Sequence, residues 1–253
     1  QSVGAMAHPL NRARYNAAKD RVVEGYGILQ PRITTSLPAA NASWYERLCS
    51  GDAGIDPYTK TVSDVYQDVF GEGSFIGKGI YDVGSVYKTL NERLPENSIL
   101  SHDLIEGCYA RSGLLSDGQL YEQYPSSYLA DVKRRHRWIR GDWQLLKWLF
   151  PLVPDARPQN KSGKQRNPLT MLSRWKLFDN LRRSLFAPAA PFLFFASWTV
   201  LNPTWAWTLF LLAIFFLPPL LASLTDLVKK GPDISLRQHL SATSVSIRQH
   251  FMT

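Results

Sequence analysis

Arg134, Arg137, Trp138 and Gly141 follow one another at offsets of three, four and seven residues, the spacing that puts side chains on one face of a helix. On such a face an arginine can neutralise a diphosphate, a tryptophan can stack on the apolar side of a pyranose ring, and a glycine leaves the surface low. The set suits a nucleotide-sugar donor and a glucan acceptor. The same basic stretch also reads as a solvated or lipid-facing helix surface, and Asp131 with Arg135, four apart, reads as an ordinary helix ion pair. Upstream, Ser101-His102-Asp103 places the residue types of a hydrolase triad in a row, but adjacent side chains diverge and cannot relay a proton. Asp103 is expected in the first turn of a helix through Ala110, where the helix dipole holds its carboxylate ionised. There it is either a helix cap or an acid that takes a proton from an attacking hydroxyl. Glu106 lies one turn on, on nearly the same face.

The stretch Phe70-Gly-Glu-Gly-Ser-Phe-Ile-Gly-Lys-Gly79 invites a phosphate-loop reading and fails it. Gly73 and Gly77 enclose three residues where a Walker loop needs four, and Lys78 precedes Gly79 rather than Ser or Thr. Two readings are left: a plain turn, or a flexible loop that lets Gly73, Ser74 and Phe75 approach a sugar. His8, His102, His136, His239 and His250 show no metal-binding spacing and read as structural or surface residues. Cys49 and Cys108 offer neither a disulfide framework nor a metal site, which fits a reducing cytosol.

Those residues need elements to hold them. An apolar content of 45% with 12% aromatics excludes a disordered tail and leaves room for a core. Residues 21–33 and 119–124 carry strand signals, and helices are expected over 42–48, 61–70, 83–94 behind Asp82 as N-cap, and 127–149. Residues 1–150 therefore read as an α/β domain open at its N-terminal side. The first ten residues resemble the middle of a helix and no initiator Met is present, so the chain is read as an internal fragment.

The net charge of +8 gathers at 133–140, 161–166 and 174–183, around an apolar run, which fits an anionic leaflet or a nucleotide diphosphate and not nucleic acid. Residues 184–225 contain no charged side chain, about twice the roughly 20 residues that cross a bilayer. A membrane hairpin over 171–230 is therefore expected, with spans at about 185–201 and 204–224 and the break at Asn202-Pro203. Flanking cations place both ends on the cytoplasmic side, and Trp198, Trp205 and Trp207 anchor the turn at the far interface. Residues 151–170 read as a linker. Residues 231–253, in which Ser-Leu-Arg-Gln-His is echoed by Ser-Ile-Arg-Gln-His at a spacing of 11, read as an amphipathic cytoplasmic segment.

Gly-Tyr-Gly-Ile-Leu-Gln-Pro-Arg (25–32), Gly-Ile-Asp-Pro-Tyr-Thr (54–59), the glycine-rich stretch through Asp82, Ser-His-Asp-Leu-Ile-Glu-Gly-Cys-Tyr-Ala-Arg (101–111) and Arg-Arg-His-Arg-Trp-Ile-Arg-Gly-Asp-Trp-Gln (134–144) closely resemble the glycosyltransferase module of bacterial cyclic β-1,2-glucan synthases. The resemblance implies a processive, inverting transferase of GT-A type that uses UDP-glucose and a divalent metal (Mg or Mn) at the cytoplasmic face of the inner membrane. Asp103 matches the catalytic base of the broader processive family, whose Thr-Glu-Asp is here Ser-His-Asp. Arg137 and Trp138 match the end of Gln-x-x-Arg-Trp, with Arg134 in place of the Gln. The Asp-x-Asp that holds metal and UDP is expected upstream of Gln1, as are further domains of the same synthase, so the segment alone is expected to be inactive. Such enzymes build glucan on the protein itself. Tyr58, Tyr66 and Tyr81 are candidate primers, and Tyr58, behind Asp56-Pro57 in a turn-forming segment, is the best placed.

Two other readings stand beside this one. Another processive polysaccharide synthase would require an intact Gln-x-x-Arg-Trp, and a non-catalytic membrane-anchored binding or scaffold module would lack the upstream Asp-x-Asp.

Overall fold

The structure is a computed structural model describing residues 2–36, 41–49, 64–228, 235, 238–239, 241, 243–244 and 246–247. Tyr58 and the surrounding 54–59 motif lie outside the described residues, as do Lys229, Lys230 and most of 231–253. The chain divides into two compact units, 1–37 with 52–182 and 38–51 with 183–253.

In the first unit a short helix α1 (Ser2–Ala7) precedes an antiparallel pair, β1 (Arg14–Asn16) and β2 (Arg21–Glu24). The expected strand over 21–33 is two strands. Gly25, at φ +63 beneath the Arg12 carbonyl, turns the chain before β3 (Ile28–Thr35), a backbone state that glycine adopts without strain. Next come α3 (Val65–Phe70), after α2 (Trp44–Cys49) of the second unit, then β4 (Ile80–Tyr81) and α4 (Val83–Leu90). Asp64 caps α3 through the Tyr66 and Gln67 amides, and Asp82 caps α4 through the Ser85 amide. After α5 (Asp103–Ala110), β5 (Ser112–Glu122) pairs parallel with β3, which pairs antiparallel with β4 on its other edge. Pro31 cannot donate to the ladder, and the β3–β5 register jumps there from Leu115 to Gln119.

Helix α6 (Tyr128–Gln144) starts at Ser127, whose hydroxyl accepts from the Ala130 amide, and tightens into a 3-10 turn, Leu145–Leu149. Ile105, Cys108 and Tyr109 of α5 pack with Leu145, Trp148, Val153, Leu169 and Leu177 into one core. Burial, with the Glu72 charge beside it, outweighs the pull of Lys176 and pushes the Cys108 thiol up to about 11, so it is an inert core residue.

Residues 151–170 are not a linker. Strands β6 (Leu152–Pro154) and β7 (Lys164–Arg166) form an antiparallel hairpin whose Val153 is fully buried. Prolines and charges gave the stretch loop composition, yet Arg157 ties it down through Asp155, Asp20 and Gln165.

Helix α7 (Met171–Thr199) and helix α8 (Thr204–Val228) are separated at residues 200–203, where the break was expected. Phe186 and Phe215 lie 5.6 Å apart, so the chain reverses between them. Two membrane spans do not follow. Among the described residues one helix is long and apolar enough to cross a membrane, the 22-residue stretch Thr204–Thr225 of α8. The reason is charge: α7 carries Arg174, Lys176, Asp179, Arg182 and Arg183, which leaves 184–199 short of the roughly 20 apolar residues a span requires.

The architecture is thus mixed α/β, with three small sheets among the described residues.

Candidate functional site

The site grows from the start of α5. Its cap position is His102, which makes no side-chain capping bond, and Asp103 is the first helical residue. Of the two readings of Asp103, the helix cap is removed. The Asp103 carboxylate is about a third exposed, and the glycine-rich loop comes directly onto it. A Cβ built on Gly77 would stand 2.9 Å from its carboxylate atoms, and Gly77 has φ +95. A side chain at that position would be strained and would also collide with Asp103.

Glu106 is one turn on. His102 Nδ1 lies 2.8 Å from its carboxylate, an i to i+4 pair across the first turn. Burial raises the Glu106 pKa, the Asp103 charge adds to the effect, and His102 pulls it back. Tyr81, at the end of β4, completes the wall. Its ring meets Phe75 edge-on at 5.7 Å, and its hydroxyl is held protonated by burial and by the charges of Glu106 and Asp103. A phenol that keeps its proton beside two carboxylates is a hydrogen-bond donor.

Helix α6 arrives from the other side. A Cβ on Gly141 would fall 2.6 Å from Ser101 Cβ and 3.0 Å from its backbone nitrogen, and Gln144 accepts the Leu100 amide at 2.7 Å. The low point that Gly141 leaves on its helix face is therefore where Ser101 sits. Gly141→Ala is expected to push the two segments apart at a cost of about 1–3 kcal/mol, read as a lower melting temperature of the solubilised protein. An unchanged melting temperature would mean that they do not touch.

The same face carries Trp138 and Arg134, but they are partly committed. The Arg134 guanidinium lies 4.8 Å over the Trp138 ring and 5.6 Å from the Tyr124 ring, and it pairs with the buried Asp131 at 2.9 Å. The expected Asp131–Arg135 pair forms as well, at 2.8 Å. Arg134, for which substrate binding is expected, thus lies over one face of Trp138 and is paired with Asp131. Arg137 is exposed and makes no ion pair among the described residues.

The loop residues named from sequence are placed differently. Gly73 and Phe75 are buried, Phe75 against Gly107, and Ser74 is half-buried with its amide bonded to Asp64. What reaches the open is the tip, Gly77-Lys78-Gly79, with Lys78 paired to Glu122 at the end of β5. The loop is not flexible in the manner expected: Gln30 holds the Ile76 amide at 2.7 Å and Ser112 holds the Gly73 carbonyl at 2.8 Å. The sequence reading missed Gly77, Gln144 and the His102–Glu106 pair. Only the pair had a signal, its i to i+4 spacing.

His102, Asp103 and Glu106 each offer a ligand atom within 4.8 Å of the others, so this trio could hold a divalent ion, although His102 shows no metal-binding spacing with the other histidines.

No protein-family model matches the chain. Over 249 residues, 97% of its length, it is 43% identical to the Cyclic beta-(1,2)-glucan synthase NdvB of Rhizobium meliloti (strain 1021). The chain is homologous to a segment of that synthase. It spans 8% of the synthase's length.

Proposed function

We propose that this segment is the acceptor-side part of a cytoplasmic glycosyltransferase domain of GT-A type, which extends a β-1,2-glucan with glucose from UDP-glucose. The observation that carries the reading is the juxtaposition of three separate sequence motifs: the loop tip at Gly77 seats on Asp103, and Gly141, on the helix face that also carries Arg137 and Trp138, seats on Ser101 of the same Ser101-His102-Asp103 segment. Homology to part of a cyclic glucan synthase supplies the substrate class.

In this reading the 2-hydroxyl of the terminal glucose attacks the anomeric carbon of the donor. Asp103 takes the hydroxyl proton as the new carbon–oxygen bond forms, the bond to the β-phosphate breaks, and UDP leaves with the electron pair. Displacement inverts the anomeric centre and gives the β linkage. Arg137 faces the diphosphate charge, and the free face of Trp138, backed by Arg134, carries an acceptor ring. Tyr81 and Glu106 hold acceptor hydroxyls. A divalent metal, Mg or Mn, bound by residues upstream of Gln1, would neutralise the diphosphate. Helix α8 would anchor the domain in the bacterial inner membrane, with UDP-glucose reaching it from the cytoplasm. Tyr58 is kept as the proposed priming residue.

The test is glucan synthesis by the intact protein in membranes supplied with UDP-glucose. Trp138→Ala is expected to weaken acceptor handling by roughly 1–3 kcal/mol, the worth of one aromatic stacking contact, and so to shorten the product. Product length and acceptor affinity equal to wild type would remove Trp138 from the site. Failure to form any glucan from UDP-glucose would leave a membrane-anchored binding module as the better account.

A further inference from the structure

Several charged side chains of the first unit are almost wholly buried, among them two that meet behind the glycine-rich loop and take no part in the proton chemistry at Asp103. Glu72 is 5% exposed and Lys176, on α7, is 4% exposed. Burying charge is costly unless every charge is paired and hydrogen-bonded, so the partners of these groups show what the cost secures. Lys176 Nζ donates to the Gly73 carbonyl at 2.7 Å and to the Glu72 carbonyl at 3.1 Å, with the Glu72 carboxylate 3.7 Å away. Glu72 accepts from Arg21 at 2.7 Å and from the Ser173 hydroxyl at 3.3 Å. Arg111 donates to the Gly71 carbonyl at 2.7 Å. Three successive carbonyls at the rear of the glycine-rich loop are thus held by cations, those of Glu72 and Gly73 by the buried Lys176. The front of that loop is Gly77, seated on Asp103.

A segment with glycines at 71, 73, 77 and 79 has an unusually large conformational entropy to lose. Main-chain bonds from the Gly71 and Gly73 amides to the Gln67 and Ser112 carbonyls, and the pairing of Ile80 and Tyr81 in the sheet, do not by themselves hold the rest of it. Side chains do, and Lys176 is the one that reaches two carbonyls at once, as the three donors of an ammonium permit.

We propose that Lys176 is a positioning residue: by fixing the Glu72 and Gly73 carbonyls it keeps Gly77 in place over Asp103. The role rests on the transferase reading for its consequence, but the clamp can be measured apart from it. Arg21 still neutralises Glu72 in Lys176→Met, so that variant is expected to fold.

The experiment is hydrogen exchange on the intact protein, with Lys176→Met and Lys176→Arg beside wild type, followed by glucan synthesis from UDP-glucose. In Lys176→Met, exchange over 71–79 is expected to quicken by about tenfold or more while 28–35 and 112–122 keep their protection. Turnover should fall by about tenfold with KM for UDP-glucose little changed, because geometry at the base is lost and donor binding is not. Lys176→Arg, which retains a buried cation, should stay closer to wild type on both measures. Unchanged exchange over 71–79, or unchanged turnover, would overturn the assignment. So would loss of protection throughout the unit in both variants, which would make Lys176 a residue of the core alone. Wild-type protein that makes no glucan would sink the transferase reading instead, and the exchange arm would still decide whether Lys176 holds the loop.

Discussion

Asp103→Asn in the intact protein is expected to lower glucosyl transfer by at least about 10²-fold, the usual worth of a positioned general base, while UDP-glucose still binds. Asparagine has nearly the same shape, so Gly77 can stay seated against it, and no capping bond is lost because the cap position belongs to His102. The only structural loss is the favourable placing of a negative charge in the first turn of α5, about 0.3–1 kcal/mol. Activity and stability should therefore separate. Titration of UDP-glucose, product analysis and thermal unfolding on the same preparation test this. Turnover like that of wild type would take Asp103 out of the mechanism, and Glu106, whose carboxyl shares the wall, would be the next group to examine.

Asp20→Asn should produce the largest loss of stability. Asp20 Oδ1 accepts from Arg93 at 2.6 Å, from Arg157 at 3.2 Å and from the Tyr15 hydroxyl at 2.7 Å, and Oδ2 accepts from Arg157 at 2.8 Å. The Arg93 side chain is wholly buried, with its guanidinium 4.4 Å over the Tyr109 ring in the core. Removing the carboxylate leaves that cation buried without its counter-charge, a loss of about 3–5 kcal/mol. Asp20 has φ +51, a conformation that asparagine tolerates as well, so backbone strain does not confuse the result.

The pH dependence has a defined sign. Burial works to raise the Asp20 pKa, but the bonds from Arg157, Tyr15 and Arg93 outweigh it and hold the carboxyl below its ordinary value of 3.8. The native state therefore binds this proton less readily than the unfolded state. Its contribution is complete above the ordinary value and is lost as pH falls through the depressed one. Denaturant unfolding of wild type and Asp20→Asn should show a wide gap at neutral pH that closes under acid. A gap of the same size throughout would mean that the charge is not what Asp20 contributes.

Much of the site's local form was legible because it depends on neighbours in the chain. The one-face spacing of Arg134, Arg137, Trp138 and Gly141 follows from the helical period, and α6 is a helix over all four. Asp82 caps α4 as expected, Asp131 pairs with Arg135, Asp103 opens its helix and the long apolar region breaks before Thr204. In each case the deciding contact lies within a turn or two of backbone.

What the sequence could not disclose is which surfaces meet. Gly77 over Asp103 and Ser101 against Gly141 join segments 26 and 40 residues apart, and both contacts depend on how α5 and α6 seat on the core around Tyr109 and Trp148. That same packing turned Phe75 inward and buried Val153 of the hairpin within 151–170. Composition reports whether a residue can be exposed, but a buried charge such as Lys176 or Arg93 is placed by partners distant in sequence, and only the tertiary structure supplies them. Helix periods and caps were settled by short-range sterics in the sequence itself; the site was decided by long-range packing, which brings chemically ordinary residues close enough to act on one another.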